Sequence, residues 1–290
     1  MTTRPYTGRF APSPTGPLHF GSLITAVASF CDARSQGGRW LVRIEDTDIP
    51  RIQAGAEASI REALLAFGLI ADAPIVRQQD RLEQYEAALQ QLAERDLVYA
   101  CACTRKQLEG FSAYPNLCRD RQLAWAQHAI RLKVPDRLIE FEDRVQGKQT
   151  ENLLHSTGDI VLKRRDGIIS YQLAVVVDDA AQGVTDVVRG ADLLDNTARQ
   201  IWLGQCLGVP ALRYAHLPLA MNASGQKLSK QNLAAALDLD DAPQLLRLAL
   251  AALHQPDVGT GSIDVLLQRA VVNWSLERIP KQATLAGVYD

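Results

Sequence analysis

No stretch of this chain approaches the roughly 20 consecutive apolar residues that a membrane-spanning helix needs, and residues Met1 to Tyr6 show no apolar core of the signal-peptide kind. The expectation is a cytoplasmic protein with no membrane partner. A basic excess is missing too: 31 Lys and Arg against 33 Asp and Glu leave a formal charge of -2. Nucleic-acid partners usually leave a basic domain or stripe, so any RNA contact has to be a local patch. The candidates are Arg119, Arg121, Arg131 and Lys133, and separately Lys163, Arg164 and Arg165, although such runs are more often solvated faces. Repeats and low-complexity tracts are absent, which argues against repeat arrays and disorder. Cysteine is scarce, odd in number at five, and unevenly spaced. That excludes a paired disulfide framework and suits metal binding or simple burial in a reducing compartment.

What is present is an α/β pattern on 290 residues, enough for one large domain with an insertion or appendage. Gly8 to Ala11 reads as a strand, Pro12 to Pro17 as a turn-rich loop, and Leu18 to about Ala33 as a helix. In that helix Leu23, Ile24, Val27 and Phe30 recur on one face. A strand Trp40 to Ile44 ends at the acidic cluster Glu45, Asp46 and Asp48, and Ala54 to Phe67 reads as a second helix. Such a start predicts a parallel sheet with a ligand site at the carboxyl ends of its strands. Arg81 to Arg95 is a further helix, Tyr99 to about Leu123 an irregular cysteine-bearing insertion, and Ile168 to Val177, rich in β-branched residues, a buried strand. Beyond Lys230 the pattern is helical, over Ala242 to Leu253 and Ile263 to Trp274, with Pro243 in a first turn.

Two constellations carry chemistry. The first, RFAPSPTGPLHFGS from Arg9 to Ser22, lies where strand 1 meets helix 1. Free N–H groups and the positive dipole end of a helix suit nucleotide phosphates there. Gly16 and Gly21 permit close approach, and His19 offers a hydrogen bond to a phosphate oxygen. A proline-rich turn with an incidental histidine is the plainer reading of His19 alone. The second is Lys227-Leu228-Ser229-Lys230-Gln231, whose lysines suit a triphosphate and the charge that develops as pyrophosphate leaves.

Order and spacing of the two together resemble the paired ATP motifs of class I aminoacyl-tRNA synthetases, and the first looks like the glutamyl branch. RIEDTD at Arg43 to Asp48, YQLA at Tyr171 to Ala174 and VRGADLL at Val188 to Leu194 agree, so the resemblance covers about residues 5–235. With its cysteine-bearing insertion and short tail the chain is most similar to the glutamyl-queuosine tRNA(Asp) synthetase family. That resemblance implies a Rossmann-like core (residues 1–98 and 136–231), a zinc-binding insertion (99–135) and a helical appendage (232–290) without an anticodon-binding domain. It implies tRNA-independent activation of L-glutamate by ATP with Mg²⁺, and transfer to queuosine at the wobble position of tRNA(Asp), by a monomer. Arg9 and Ser13 are expected to contact glutamate, Glu45 its ammonium group, and Tyr171 and Arg189 to complete the pocket. Pro12, His19, Gly21, Ser22, Lys227, Ser229 and Lys230 are expected at ATP, with His19, Lys227 and Lys230 catalytic. Departures from the pattern are Ser22 for a second histidine, Leu228 for methionine, Gln231 for serine, and Asn196 where serine is usual.

Cys101, Cys103 and Cys118 lie near one another in sequence and suit a structural Zn²⁺ that wants four ligands. The resemblance supplies Tyr114 as the fourth; His128 and Glu109 are alternatives, and three free thiols the plainer reading. Cys31 and Cys206 fall in apolar helical patterns and are expected in the core. Two other functions fit less well: a truncated glutamyl-tRNA synthetase charging tRNA(Glu), and an inactive tRNA-binding paralogue, which would have no chemical reason to keep the pocket residues together.

Overall fold

The computed structural model describes residues 4–221 and 237–285. Strand β1 (Thr7–Phe10) leads through the proline-rich loop into helix α1 (Phe20–Ser35), and β2 (Arg39–Ile44) returns parallel to β1 with Arg9 opposite Leu41. The predicted face of α1, Leu23, Ile24, Val27 and Phe30, is buried. Trp40 seals the first core between Phe10 and Phe30, its indole N–H donating to Ser29 Oγ at 3.0 Å. Gly38 makes the tight return possible, since a Cβ there would sit 2.6 Å from the Tyr6 side chain. Helix α2 (Ala56–Ala66), the short strand β3 (Val76–Arg77), parallel to β2, and helix α3 (Leu82–Glu94) follow.

The chain continues through β4 (Val98–Cys101), β5 (Ala129–Leu132), β6 (Leu138–Asp143), β7 (Gly147–Asn152), α4 (Leu153–Ser156), β8 (Ile160–Lys163), α5 (Tyr171–Ala181), β9 (Asp186–Gly190), α6 (Thr197–Leu207) and β10 (Arg213–Leu217). Strands β4, β5 and β8 make an antiparallel sheet, while β9, β10 and β6 are parallel neighbours with β7 antiparallel at the edge. Last come β11 (Leu219–Ala220), α7 (Ala242–Ala252), α8 (Ile263–Val272) and β12 (Thr284–Leu285), which pairs with β11. Helices α7 and α8 pack on α1 and share its core, and the Trp274 indole N–H reaches Asp32 of α1 at 3.3 Å. A second core joins α3, α5 and α6 to the β4–β5–β8 sheet.

Two expectations need correcting. Ile168 to Val177 is not a strand: Tyr171 onward is α5, capped by Ser170, whose Oγ accepts the Leu173 N–H at 3.4 Å. The helix buries Leu173, Ala174, Val175 and Val176 together with Gln172, Asp178 and Asp179, so its polar face vanishes and the sequence loses its helical period. Burial outweighs the β-branched preference of the three valines. The segment from Tyr99 is also less irregular than expected, because Tyr99 and Cys101 belong to β4.

The β1–β2–β3 sheet and the β9–β10–β6–β7 sheet meet at β1 and β9. There Thr185 N–H donates to Thr7 O at 2.9 Å, and Thr7 N–H to Thr185 Oγ1 at 2.9 Å.

Candidate active site

A cavity of about 560 Å³ opens at that seam, at the carboxyl ends of β1, β2 and β9. Such crevices are where open α/β sheets hold ligands. Arg9, Pro12, Ser13, His19, Gly21, Ser22, Glu45, Tyr171 and Arg189 all line it, so residues far apart in sequence come together. Lys227, Ser229 and Lys230, with Leu228 and Gln231, lie outside the described residues.

Both cavity arginines are only 3% exposed, and they are held differently. Arg9 donates its Nε–H to Asp179 Oδ1 and Oδ2 at 3.2 and 3.4 Å, an anchor that, among the described residues, leaves both terminal nitrogens for a ligand. Asp179 also accepts from Arg43 Nη1 at 2.8 Å, and Arg43 Nη2 reaches Glu45 Oε1 at 3.1 Å. Burial alone would raise the Asp179 carboxyl, but Arg9 and Arg43 hold it below the usual range. For Glu45 burial wins over the pull of Arg43 and Arg9, and its pKa is raised. A carboxylate in that state gains from an added cation. Behind this row Asp178 accepts from Gln78, Arg81 and Tyr85, tying α5 to α3. This buried network went unread in the sequence; its one signal was the pair Asp178-Asp179 inside an apolar run.

Arg189 commits all five of its N–H groups. Nε donates to His216 Nε2 at 2.9 Å, Nη1 to Gln200 at 2.8 Å and to the Tyr171 hydroxyl at 3.3 Å, and Nη2 to Thr197 Oγ1 at 2.9 Å and Leu193 O at 3.3 Å. The two longest bonds, to Tyr171 and Leu193, are the easiest for a ligand carboxylate to replace. Asn196 holds the side chain of Gln172 and does not line the cavity.

At the cavity's other end the ring of His19 caps α1, Nδ1 accepting the Ser22 N–H at 3.3 Å while Ser22 Oγ lies 3.0 Å from Nε2. Gly16 precedes it at φ 142°, a backbone setting that strains any side chain. The loop thus delivers the helix N-terminus, with its positive dipole end, to the cavity wall.

The cysteine cluster lies in its own small core. The sulfurs of Cys101, Cys103 and Cys118 all lie within 4.8 Å of one another. Tyr114 Oη is 3.3 Å from the first and 3.7 Å from the second, and it accepts the Cys118 N–H at 3.1 Å. Ligands on a tetrahedral zinc with bonds near 2.3 Å stand about 3.8 Å apart, so these four donors fit that ion. Neither His128, bonded through Nδ1 to Ala124 O, nor Glu109 joins the cluster among the described residues. Despite its burial, hydrogen bonds from Ala102, Cys103 and Tyr114 bring the Cys118 thiol down to about 7, where the thiolate that metals bind is accessible, whereas burial pushes Cys103 up to about 11 and raises Tyr114. Arg131, a sequence candidate for RNA contact, is buried here with its guanidinium 3.7 Å above the Tyr114 ring, and is structural. Cys31 and Cys206 are buried in the two main cores.

Comparison with known proteins shows the family. The family of class I tRNA synthetases (E and Q), catalytic domain, matches residues 6–253. Glutamyl-Q tRNA(Asp) synthetase of Acinetobacter baylyi is 63% identical over 284 residues, 98% of this chain and 97% of that protein. Its counterpart in Pseudomonas aeruginosa is 49% identical, covering 98% of both. A glutamate tRNA ligase from Elizabethkingia meningosepticum, crystallised in complex with its amino acid, superposes with a TM-score of 0.82 at 27% identity, over 96% of this chain and 66% of that one. The chain thus carries a class I tRNA synthetase catalytic domain and belongs to the glutamyl-Q tRNA(Asp) synthetase family.

Proposed function

We propose that this protein activates L-glutamate with ATP, without tRNA, and transfers the glutamyl group to queuosine at the wobble position of tRNA(Asp). The observation that carries the first half is the convergence of Arg9, Arg189 and Glu45 in one cavity beside the α1 N-terminus. A substrate with two carboxylates and one ammonium needs two cationic forks and one carboxylate in return. Arg9, with both terminal nitrogens available, and Arg189 with Tyr171 take the carboxylates, aided by Ser13; Glu45 takes the ammonium. The second half is supported by the relatives at 63% and 49% identity, which carry that name.

In the activation step the α-carboxylate of glutamate attacks the α-phosphorus of ATP; the new P–O bond forms as the bond to the β-phosphate oxygen breaks and pyrophosphate leaves. The protein contributes alignment and charge stabilisation. Pro12, Gly21 and Ser22 shape the nucleotide wall, and His19 and the α1 N-terminus face the phosphates. Lys227, Ser229 and Lys230 complete that set by motif, and Mg²⁺ bound with ATP offsets phosphate charge. A zinc ion on Cys101, Cys103, Tyr114 and Cys118 would staple the 99–135 insertion, and helices α7 and α8 form a helical appendage packed on α1.

The test is transfer of radiolabelled glutamate, with ATP, to three RNAs: queuosine-containing tRNA(Asp), the same tRNA without the modification, and tRNA(Glu). Label on the first alone is expected. Label on tRNA(Glu) that disappears when its 3′ end is oxidised would replace the acceptor assignment and leave the activation chemistry standing.

A further inference from the structure

We infer that His216 is a positioning residue for glutamate selectivity: its Nε2 lone pair, aimed by Asp143, fixes the guanidinium of Arg189 against Tyr171. The inference rests on the glutamate reading above and deepens it by assigning the side-chain carboxylate, the group that glutamine lacks, to Arg189 and Tyr171. His216 does not line the cavity, and nothing in the sequence motifs points to it.

The geometry is set by adjacent parallel strands. Arg189 on β9 and His216 on β10 are register partners, so their side chains leave the sheet side by side. Arg189 Nε–H donates to His216 Nε2 at 2.9 Å, which requires a lone pair on that nitrogen. The ring proton therefore sits on Nδ1 and is donated to Asp143 Oδ2 at 2.6 Å. Asp143 cannot turn away: its Oδ1 accepts the backbone N–H groups of Val145, Gln146 and His216 itself at 3.0, 2.8 and 3.1 Å. His216 and Thr197 are fully buried, and Thr197 Oγ1 lies 3.2 Å from the same ring nitrogen while accepting from Arg189. A carboxylate tied to backbone thus sets a tautomer, and the tautomer sets an arginine.

Charge balance favours the same arrangement. The charged groups facing His216 are Asp143 on β6, Arg189 on β9 and, further off, Arg9 on β1. Burial and the two arginines keep the ring neutral against the pull of Asp143. A protonated ring would present an N–H to the Arg189 Nε–H and expel the guanidinium.

Selectivity follows from rigidity. Glutamine differs from glutamate by an NH₂ group where the pocket offers donors. A guanidinium free to swing would tolerate that group, whereas one held at Nε cannot avoid a donor meeting a donor.

The test is amino-acid-dependent ATP–pyrophosphate exchange by the full chain and three variants, with glutamate and with glutamine. His216→Leu is expected to raise the glutamate KM by about tenfold or more, the usual scale for a hydrogen bond to a charged group. It should also shrink the glutamate-over-glutamine ratio of kcat/KM while leaving the ATP KM in place. His216→Gln restores an acceptor near Nε2 without the donor to Asp143, and is expected to recover most of the KM and the discrimination. If both variants keep wild-type values, or if Gln falls as far as Leu, the inference is overturned. Should His216→Leu fail to fold, Asp143→Asn decides, because it frees the tautomer while preserving shape. It is expected to raise the glutamate KM, and an unchanged KM overturns the inference. Absence of exchange in the wild-type protein would instead strike the activation reading itself.

Discussion

Replacing Asp179 by Asn should cost both stability and substrate binding. The carboxylate is 3% exposed and sits between Arg9 and Arg43, accepting from both. Asparagine keeps the shape, removes the charge and turns one acceptor into a donor aimed at a guanidinium. Stranding buried charges in this way costs about 3–5 kcal/mol. Since each kcal/mol moves the melting midpoint of a domain of this order by roughly 2–4 °C, a fall on the order of 10 °C is expected. The pH dependence has a definite sign. The folded pKa of Asp179 lies below its unfolded value, so its contribution is complete above the ordinary carboxylate range and is lost as pH falls through the lowered folded value. Urea unfolding of wild type and Asp179→Asn should therefore differ fully at neutral pH, and the gap should narrow at the acid end, below about pH 4. The glutamate KM should rise too, because Arg9 loses its anchor. A difference under about 1 kcal/mol at neutral pH, the scale of an ordinary surface pair, or a gap that ignores acidification, would refute the argument.

Glu45→Gln should raise the glutamate KM with little change in the ATP KM. Because the folded pKa of Glu45 is raised, wild-type glutamate binding should weaken on acidification at a pH above the usual carboxylate range, and kinetics of the Gln variant should lack that limb. Lys230→Ala should slow pyrophosphate exchange chiefly through kcat, which separates a rate-critical lysine from a binding one; a pure KM effect would argue otherwise. Elemental analysis of the purified protein should find stoichiometric zinc that is lost in Cys118→Ser, and metal-free wild type would reject the four-donor site.

The elements around the first motif were legible because α1 carries Leu23, Ile24, Val27 and Phe30 at helical spacing and turn residues bound the short runs of β1 and β2. Helix α5 was not, since its polar residues Gln172, Asp178 and Asp179 are buried while its outward positions are Val177, Ala180 and Ala181, which leaves a run that imitates a strand. The pocket lining was readable from motifs, but the groups that hold it were not. Asp178, Asp179 and His216 sit in apolar stretches, and their roles depend on partners up to 170 residues away, as for Arg9 and Asp179. Two members of the basic runs have partners of the same kind. Arg131 stacks on Tyr114, and Lys163 is paired with Glu86, contacts that composition cannot reveal.

The seam between β1 and β9 has one more consequence. Arg9 belongs to the first half of the chain and Arg189 to the second, and Thr7 and Thr185 close the gap between their strands. In the proposed site neither half alone offers a place for the amino acid, so ligand affinity would report on whether the halves have joined. Glutamate should accordingly act as a clasp, slowing hydrogen exchange at the Thr185 amide more than in the β4–β5 pair, which takes no part in the cavity wall.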